Sequence, residues 1–283
     1  MSNRPVHRPV YRTVVADTAQ VAEDMHVLRP LPSRGLRQIG PFIFLDHFGP
    51  RKLAEGDKVE VPPHPHAGFQ TVTYLLAGRG FHKDSSGAAQ WLGPGGVNWM
   101  TAGRGIVHLE EIEAEADGVI EGFQIWVNLP ARDKYLQPGF QAFEAAVLPV
   151  VPVEGGEVRI IAGRFGDHSS PVTSYSPLFL YHLRLDAGAV IEVPVDAAAE
   201  AGVYVVRGGV LAGETPAGRS ELLVYAAGEG ALHLQATEAS ELLVLGGTPL
   251  REPMASYGPF VMNSMDEIQQ VIEAYQTGKM GRL

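Results

Sequence analysis

Short stretches of alternating hydrophobic and polar residues, separated by turns, run through most of the chain. From Val10 to Val127 these stretches are rich in β-branched and aromatic residues, and no helical period is sustained. Similar stretches resume after residue 140, for example EVRIIAGRF and PLFLYHLRL. The pattern predicts an all-β protein made of many short strands that are separated by glycine- and proline-containing turns.

The strand pattern lapses around residues 130–140. The segment ARDKYLQPGF is polar and contains a proline, which is typical of a connection between domains. We therefore predict a linker here and divide the chain into an N-terminal domain of residues 1–135 and a C-terminal domain of residues 136–283.

A helix is predicted only near the end of the sequence. Ser264 and Glu267 have the spacing of a capping box, and Gly278 is placed to end the helix. Four apolar or aromatic residues between them share one helical face: Ile268, Val271, Ile272 and Tyr275.

Two pairs of segments echo each other in the same order along the chain. Residues 59–80, VEVPPHPH…TYLLAGRG, resemble residues 191–209, IEVPVDAA…VYVVRGG, although chance similarity of small residues is an alternative for this pair. Residues 102–110, AGRGIVHLE, resemble residues 227–235, AGEGALHLQ, more closely. The echo predicts two tandem jelly-roll β-sandwich domains, followed by the short C-terminal α-helix.

Composition narrows the chemistry and the partners. The chain contains no cysteine, so disulfides, thiolate nucleophiles and thiolate-ligated metal sites are excluded. Its formal net charge is −10, which disfavours direct binding to nucleic acid or to anionic membrane surfaces. We find neither a signal sequence nor an apolar stretch of about 18 residues, so we expect a cytoplasmic protein. We also expect a monomer.

The motifs HPH and HLE are the most informative residues for chemistry. Because side chains alternate between the faces of a strand, His64 and His66 point to one face, and His108 and Glu110 also share a face. If both faces line the interior of one sandwich, three imidazoles and a carboxylate converge on a metal and leave coordination positions open. Such donors suit Fe, Mn, Ni, Cu or Zn better than Ca or Mg.

The alternative is that these motifs bind no metal. Paired histidines are common on surfaces and in loops, and Pro65 removes a ladder donor between His64 and His66, so HPH is also compatible with a loop. The joint occurrence of the two motifs within one β-unit favours the metal site.

The second half of the chain serves as an internal comparison. His233 stands at the place of His108, but Gln235 stands at the place of Glu110, and VDAA replaces the HPH region. Because only one of the four ligands survives, we expect the C-terminal domain to be metal-free.

Several longer segments resemble the pirin family, two-domain members of the cupin superfamily. They are GPFIFLDHFGP, PHPHAGFQTVTYLLAGRGFHKDSSG, GPGGVNWMTAGRGIVHLE, FQIWVNLP and PLREPMASYGPFVMN. The resemblance implies that the N-terminal cupin binds one metal, usually iron, through the residues corresponding to His64, His66, His108 and Glu110. The C-terminal cupin is degenerate in that family.

Pirins resemble quercetin 2,3-dioxygenases, which open the central ring of a flavonol with O₂ and release carbon monoxide. The resemblance therefore implies a small, flavonol-like aromatic substrate, O₂ and one divalent transition metal. Fe²⁺ is the first choice, and Ni, Mn, Cu or Zn are alternatives. Glu110 becomes the candidate catalytic residue, since a carboxylate can accept the substrate's hydroxyl proton.

Two other functions stay open at this stage. Some pirins are regulators whose metal redox state controls binding to a transcription factor or a metabolic enzyme, so a protein partner is possible. A cupin that acts on another small molecule is the second. A roomy aromatic pocket at the metal would favour an enzyme, whereas a large exposed patch would favour a regulator.

Residues around the motifs are further candidates for the pocket. Gln124 is a candidate hydrogen-bonding group behind the ligands, with a buried, backbone-paired amide as the alternative. Five large apolar residues are candidate pocket walls, although plain core packing is expected for most of them: Phe44, Phe48, Phe69, Trp99 and Met100. Pirins commonly read HPHRGFE, so Ala67 and Gln70 replace an arginine and a glutamate at the predicted rim.

Two neighbouring pairs are predicted to be structural. Asp46 and His47 should point to opposite faces of their strand, and a turn role is expected for them. His82 and Asp84 are expected to order a surface turn.

Overall fold

The computed structural model describes residues 7–22 and 25–283. These residues form two compact units, which we call the first and the second sandwich. The first sandwich comprises residues 18–28, 43–147 and 251–283, and the second comprises the residues up to 17, 29–42 and 148–250.

The first sandwich consists of a seven-stranded sheet, a four-stranded sheet and a small hairpin. The large sheet contains, in spatial order, β12 (Gly139–Phe143), β9 (Val97–Thr101), β6 (Phe69–Ala77), β11 (Val119–Asn128), β4 (Phe42–Lys52), β3 (Met25–Leu31) and β2 (Asp17–Ala22). The four-stranded sheet contains β5 (Lys58–His66), β10 (Ile106–Glu113), β7 (Arg79–Asp84) and β8 (Ala89–Leu92). The hairpin pairs β25 (Ala255–Tyr257) with β26 (Phe260–Met262).

The second sandwich has the same composition of sheets. Its large sheet contains, in spatial order, β1 (Arg12–Val15), β22 (Glu221–Tyr225), β19 (Glu200–Arg207), β24 (Ser240–Gly247), β17 (Leu178–Leu185), β14 (Gly156–Ala162) and β13 (Val150–Val153). The four-stranded sheet contains β18 (Val190–Val193), β23 (Leu232–Ala236), β20 (Gly209–Ala212) and β21 (Thr215–Gly218). A short ribbon pairs β15 (Arg164–Phe165) with β16 (His168–Ser169).

Each sandwich buries apolar side chains between its two sheets. In the first sandwich Phe48 and Leu75 of the large sheet pack with Val59 and Ile112 of the small one. The second sandwich has a more extensive apolar core, to which both its sheets contribute. The expected fold class, all-β with two jelly-roll sandwiches and one short C-terminal helix, is confirmed.

The internal echo in the sequence corresponds to equivalent strands. The small sheets have the order β5-β10-β7-β8 and β18-β23-β20-β21, so each echoing segment occupies the same place in its own sandwich. In both, the strand that carries the HLE or HLQ motif lies next to the edge strand.

Helix α1 (Met265–Gln276) begins and ends as predicted. Ser264 Oγ accepts a hydrogen bond from Glu267 N, and Gly278 has a positive φ of 75°, which favours glycine. Ile268 and Val271 are buried against the hairpin, whereas Tyr275 is exposed. The helix packs within the first sandwich. No helix in the described ranges is long and apolar enough to cross a membrane.

The segment predicted to be a linker lies within the first sandwich. Residues 139–143 form strand β12 of the first sandwich, a 3₁₀ turn covers Ala131–Asp133, and Lys134 is buried. The predicted domain ranges, 1–135 and 136–283, follow chain order, whereas the compact units interleave along the chain. The domain ranges therefore stay a prediction, and the two sandwiches are the structural description.

Candidate metal centre

Three histidines meet where strands β5 and β10 pair in the first sandwich. His64 lies directly opposite His108 in the antiparallel register. The ring centroids are 4.2 Å apart for His64 and His108, 4.9 Å for His66 and His108, and 4.8 Å for His64 and His66. At least one ligand nitrogen from each ring lies within 4.8 Å of the others. The strand alternation predicted from the motifs thus brings the imidazoles together.

The prolines around the motif are compatible with a strand because β5 is the edge of its sheet. Pro65 pairs with Val107 in the ladder, and its missing N–H costs nothing on the side that has no neighbour. The register shifts between His108 and Glu110, which accommodates the Pro62–Pro63 pair as a β-bulge. The loop alternative for HPH is therefore wrong.

Backbone carbonyls orient two of the rings. His64 Nδ1 lies 2.8 Å from the Pro62 carbonyl oxygen, and His66 Nδ1 lies 3.1 Å from the Pro259 carbonyl oxygen. An imidazole that donates its Nδ1 hydrogen to a carbonyl keeps the lone pair on Nε2, which is the form that binds metals. Both rings are therefore prepared to present Nε2 as a ligand.

His108 provides the strongest indication that this cluster binds a metal ion. Its side chain is fully buried, and neither Nδ1 nor Nε2 has a hydrogen-bond partner. Buried polar atoms without a partner are rare and costly in native proteins. A metal ion bound to one of these nitrogens would remove part of that cost, so the residues present fit a metal.

Burial also keeps these histidines neutral. Desolvation, with a smaller contribution from the charge of His64, lowers the pKa of His66 to about 3. Desolvation, followed by the charges of His66, His64 and His82, holds the pKa of His108 well below its ordinary value. Neutral imidazoles are the metal-binding form, so neither ring needs to lose a proton at neutral pH.

Glu110 lies beside this triangle and is held by a threonine. Thr73 Oγ1 is 2.8 Å from Glu110 Oε1 and 2.9 Å from Gln124 Oε1. Since a hydroxyl carries one hydrogen, Thr73 donates to one of these oxygens at a time. Gln124 therefore lies in the layer behind the carboxylate, as its predicted role requires.

A fourth histidine, His82, belongs to the same cluster. Ligand atoms of His82, His108 and Glu110 lie within 4.8 Å of one another, although those of Glu110 and the pair His64 and His66 are not grouped within that distance. His82 Nε2 is 2.9 Å from Asp84 Oδ2, and both side chains are buried.

The predicted surface role of His82 and Asp84 is therefore wrong in position. Asp84 does order the turn, because its Oδ1 accepts hydrogen bonds from the backbone and hydroxyl of Ser86. His82 packs in parallel on Phe140 with 4.3 Å between ring centroids. The alternation that places His82 and Asp84 on the face of β7 that lies beside His108 was available in the sequence.

A cavity of about 340 Å³ opens at His64, His66 and Glu110. Its walls are mainly apolar, with Phe44 and Trp126 stacked on each other at 4.5 Å. The polar groups at its surface include the carboxylates of Asp46, Glu60 and Glu110, and none of the described residues that line it is a lysine or an arginine. The remaining lining residues are Val21, Met25, Val27, Phe48, Val61, Pro62, Thr73, Ile112, Gln124 and Pro259.

Of the predicted pocket residues, Gln124, Phe44 and Phe48 line this cavity, whereas Met100 is buried in the core. Trp99 is fully buried core, and Gln70 is buried with its Nε2 donating to Thr101 Oγ1 at 2.9 Å. Phe69 is also buried, but its ring lies 5.0 Å from that of His66 and supports it from behind.

Trp126 forms the aromatic wall together with Phe44, and it was not predicted from the sequence. Trp126 follows Gln124 by two residues on strand β11, so alternation alone predicts that the two share a face. Asp46 also lines the cavity, whereas His47 is buried elsewhere with its Nε2 3.0 Å from Glu121 Oε1. The predicted opposite faces of Asp46 and His47 are thus observed, but their predicted turn role is wrong, because both residues lie buried within strand β4.

Lys134 supports the loop that follows His66. Its Nζ donates to the backbone oxygens of Gly68 and Val261 at 2.8 and 2.9 Å and to Asn128 Oδ1 at 2.7 Å. Burial lowers the pKa of Lys134 to about 8, against smaller raising effects of the nearby glutamates. The ammonium ties the loop that follows the HPH motif to strand β26. That strand begins directly after Pro259, whose carbonyl orients His66.

The corresponding strand of the second sandwich has no such centre in its interior. Leu232 and Leu234 fill the core, and His233 between them points to the outer face. The expectation that the C-terminal domain is metal-free stays a prediction, and His233 of this strand faces away from the core.

The donor set determines the class of metal. Imidazole nitrogens with one carboxylate oxygen, in a sequence without cysteine, are ligands of borderline first-row transition ions. A cavity beside the centre allows a small molecule to reach such an ion. The arrangement can therefore support either metal-assisted chemistry or reversible ligand exchange.

Two family models match the chain. The model described as pirin covers residues 24–127, and the model described as the pirin C-terminal cupin domain covers residues 180–281. Together they span more than two thirds of the sequence.

Individual relatives and solved structures agree with this match. A Pseudomonas aeruginosa protein, provisionally named a quercetin 2,3-dioxygenase, is 39% identical over 87% of this chain and 88% of its own. The crystal structure of quercetin 2,3-dioxygenase from Acinetobacter baumannii superposes with a TM-score of 0.90 at 32% identity, covering 98% of this chain and 99% of that one. A bacterial pirin from Escherichia coli in complex with nickel(II) has the same fold, with a TM-score of 0.66 at 19% identity over 84% of this chain and 99% of its own.

Proposed function

This chain belongs to the pirin family, and from that premise we propose that it is a metal-dependent dioxygenase that opens a ring of a flavonol-like polyphenol. The names of the Pseudomonas and Acinetobacter proteins support the reaction class. The reaction consumes O₂, inserts both oxygen atoms into the products and releases carbon monoxide.

In this proposal His64, His66, His108 and Glu110 hold one divalent transition metal. Fe²⁺ is the first candidate, and Ni²⁺, Mn²⁺, Cu²⁺ and Zn²⁺ are alternatives. The nickel(II) complex of the Escherichia coli pirin supports binding of a transition ion by a chain of this fold. The unpartnered nitrogens of His108 carry the proposal, because they are fully buried and converge with two rings that present Nε2.

When bound, the metal would supply Lewis acidity that lowers the pKa of a substrate hydroxyl group and a centre for chemistry with O₂. Glu110 is the residue placed to accept the hydroxyl proton, since it borders both the cavity and His108. The hydrogen bond from Thr73 holds the carboxylate in position. Gln124, which lies on the same threonine, offers the substrate an amide at the cavity wall.

The cavity suits a flat, uncharged aromatic molecule. Its volume of about 340 Å³ lies within the usual range for small-molecule sites. Phe44 and Trp126 offer an aromatic face, and apolar side chains form most of the remaining wall. The carboxylates of Asp46, Glu60 and Glu110 would repel a carboxylate substrate such as oxalate, because no lysine or arginine of the described lining balances them.

The test is oxygen consumption by protein that is loaded anaerobically with a single metal. We expect loss of quercetin absorbance, uptake of one O₂ and release of one CO per quercetin, and no O₂ uptake with oxalate. His108→Ala should abolish all three signals, and His233→Ala, its sequence counterpart in the second sandwich, should leave them unchanged. Quercetin loss that persists in metal-stripped protein, or in His108→Ala, would contradict the proposal.

The cavity also bears on the alternative of a regulator without turnover. An aromatic cavity next to the candidate ligands is expected for an enzyme and is not needed for redox-controlled binding to a protein partner. Protein that binds iron but shows no oxygen uptake with flavonols or other enediols would support the regulator instead.

A further inference from the structure

Two histidines and a glutamate form a second cluster, on the outer face of the second sandwich. Glu192 of β18 and His233 of β23 lie opposite each other in the antiparallel register. His7 joins them, because its Nε2 lies 3.0 Å from Glu192 Oε1, while His233 Nδ1 lies 2.6 Å from the same oxygen. The two imidazole rings are stacked with 4.4 Å between their centroids. Two nitrogens and a carboxylate thus converge on one point.

The two strands hold Glu192 and His233 rigidly. Ile191 precedes Glu192, and Leu232 and Leu234 flank His233, and all three of these apolar side chains are buried in the core. Because side chains alternate along a strand, this burial forces Glu192 and His233 outward at neighbouring positions. The pair is therefore preformed by the packing of the sandwich.

A buried arginine holds His7 in place. Arg8 is only 4% exposed, and its guanidinium donates to the backbone oxygen of Ala199 at 2.7 Å and to that of Asp196 at 3.1 Å. The Arg8 backbone N–H donates to the Ala231 carbonyl at 2.9 Å, next to His233. The residue before Arg8 is thereby brought to the same outer face.

We propose that His7, Glu192 and His233 form a second metal site, which binds a borderline divalent ion such as Zn²⁺, Ni²⁺ or Cu²⁺. Their ligand atoms lie within 4.8 Å of one another, which is the spacing that three ligands of one ion require. Two imidazoles and one carboxylate are a donor set that these ions prefer. The site lies outside the sandwich, so the loss of the interior ligand set in this half of the chain does not affect it.

Exposure sets the character of this site. The three side chains are 26% to 42% exposed, so water completes the coordination, and the ion exchanges freely with the solution. Its ligands come from two adjacent strands and from a segment far away in sequence. Binding therefore staples residue 7 to strands β18 and β23, and the ion acts on local stability rather than on the chemistry at the first sandwich.

The experiment is a Zn²⁺ titration of untagged, metal-stripped full-length protein, read by calorimetry and by competition with a chromophoric chelator. Wild-type protein should bind two ions, whereas His233→Ala and Glu192→Gln should bind one. His108→Ala should retain the ion on the second sandwich and lose the other. His168→Ala, which removes an exposed histidine of the same sandwich, is the matched control and should bind two.

A second readout follows the staple itself. Zn²⁺ should slow amide hydrogen exchange of the segment around residues 7–12 at least about 10-fold in His108→Ala, and have no effect there in the double variant His108→Ala/His233→Ala. The proposal is overturned if wild-type protein and His233→Ala bind the same number of Zn²⁺ ions, or if exchange in this segment does not respond to Zn²⁺ in His108→Ala.

Discussion

Equivalent pairs of neighbouring strands in the two sandwiches point their histidines to opposite faces. In the first, β10 turns His108 into the interior, opposite His64 of the edge strand. In the second, β23 turns His233 outward, opposite Glu192 of the edge strand. A histidine at the same place in an echoed motif therefore serves a buried centre in one unit and an exposed cluster in the other.

The apolar neighbours explain the difference. Leu232 and Leu234 face the core of the second sandwich, which leaves the outer face to His233. In the first sandwich the residue before the histidine, Val107, faces outward, where helix α1 and strand β26 cover it. The covering segment allows β10 to place apolar residues outside and polar ligands inside. A strand whose outer face is solvated could not do so without exposing Val107.

The largest expected effect separates the two histidines by substitution. His108→Ala removes the fully buried ligand, so affinity of the first sandwich for its metal should fall by more than about 100-fold. His233→Ala should leave that affinity unchanged. Metal content after dialysis is measured by mass spectrometry with a single added metal, in a Glu192→Gln background that leaves only the first sandwich to bind the ion. Equal losses from the two substitutions in this background would break the comparison.

The next effect concerns the apolar positions of the second sandwich. Leu234→Ala should lower the free energy of unfolding by about 2–5 kcal/mol, because it opens a cavity in a closely packed core. The exposed neighbour Gln235 is the control, since Gln235→Ala should change it by less than about 0.5 kcal/mol. Denaturant unfolding measures both values. Similar values for the two variants would show that β23 does not carry the core as described.

Each sandwich also buries a histidine whose pKa is lowered, and the one in the second sandwich allows a clean test. Desolvation lowers the pKa of His182 to about 4, although Glu241 opposes this effect. Between about pH 6.5 and pH 4 the unfolded chain binds a proton at this residue and the folded chain does not. The contribution of His182 to stability is therefore present above pH 6.5 and is lost as the pH falls toward 4.

At pH 5 this loss should reach about 2 kcal/mol relative to pH 7. His182→Leu should remove that part of the pH dependence, and His168→Leu, at an exposed histidine of the same sandwich, should retain it. Denaturant unfolding at a series of pH values provides the measurement. An unchanged slope in His182→Leu would show that acid sensitivity resides elsewhere, for example at His66.

The smallest expected effect tests the support of the first sandwich. Lys134→Met removes the hydrogen bonds to Gly68 and Val261, so the loop that follows the HPH motif should position His66 less precisely. We expect metal affinity to fall by about 10-fold. Lys83→Met, at an exposed lysine next to His82, should leave it unchanged. Competition with a chelator distinguishes the two, and equal affinities would assign Lys134 to stability alone.

Much of this arrangement could be predicted from the sequence. Strand alternation is a local property, so HPH predicts that His64 and His66 share a face, and HLE predicts the same for His108 and Glu110. That the two motifs meet depended on the condition that both faces line one sandwich. The capping residues of helix α1 were equally readable from local spacing. The predictions that failed depend on contacts between distant segments. Lys134 lies in a polar stretch, and only the fold shows that backbone oxygens surround its ammonium.

The face to which His233 points could not be predicted from the sequence, for a related reason. Its motif resembles that of His108 residue by residue, but the face that a strand presents depends on which side is covered by other parts of the chain. Trp126 is a different case, since its alternation with Gln124 was visible in the sequence and was not used. Pro259 had no local signal, because its role is played by a backbone carbonyl.

That carbonyl links the metal centre to the timing of protein synthesis. A ribosome that has translated Glu110 has made every candidate ligand, but the oxygen that orients His66 follows about 150 residues later. Until Pro259 has emerged and the hairpin has docked, His66 lacks the partner that selects its metal-binding tautomer. A chain that ends before Pro259 would therefore contain all four candidate ligands but lack the oxygen that orients His66.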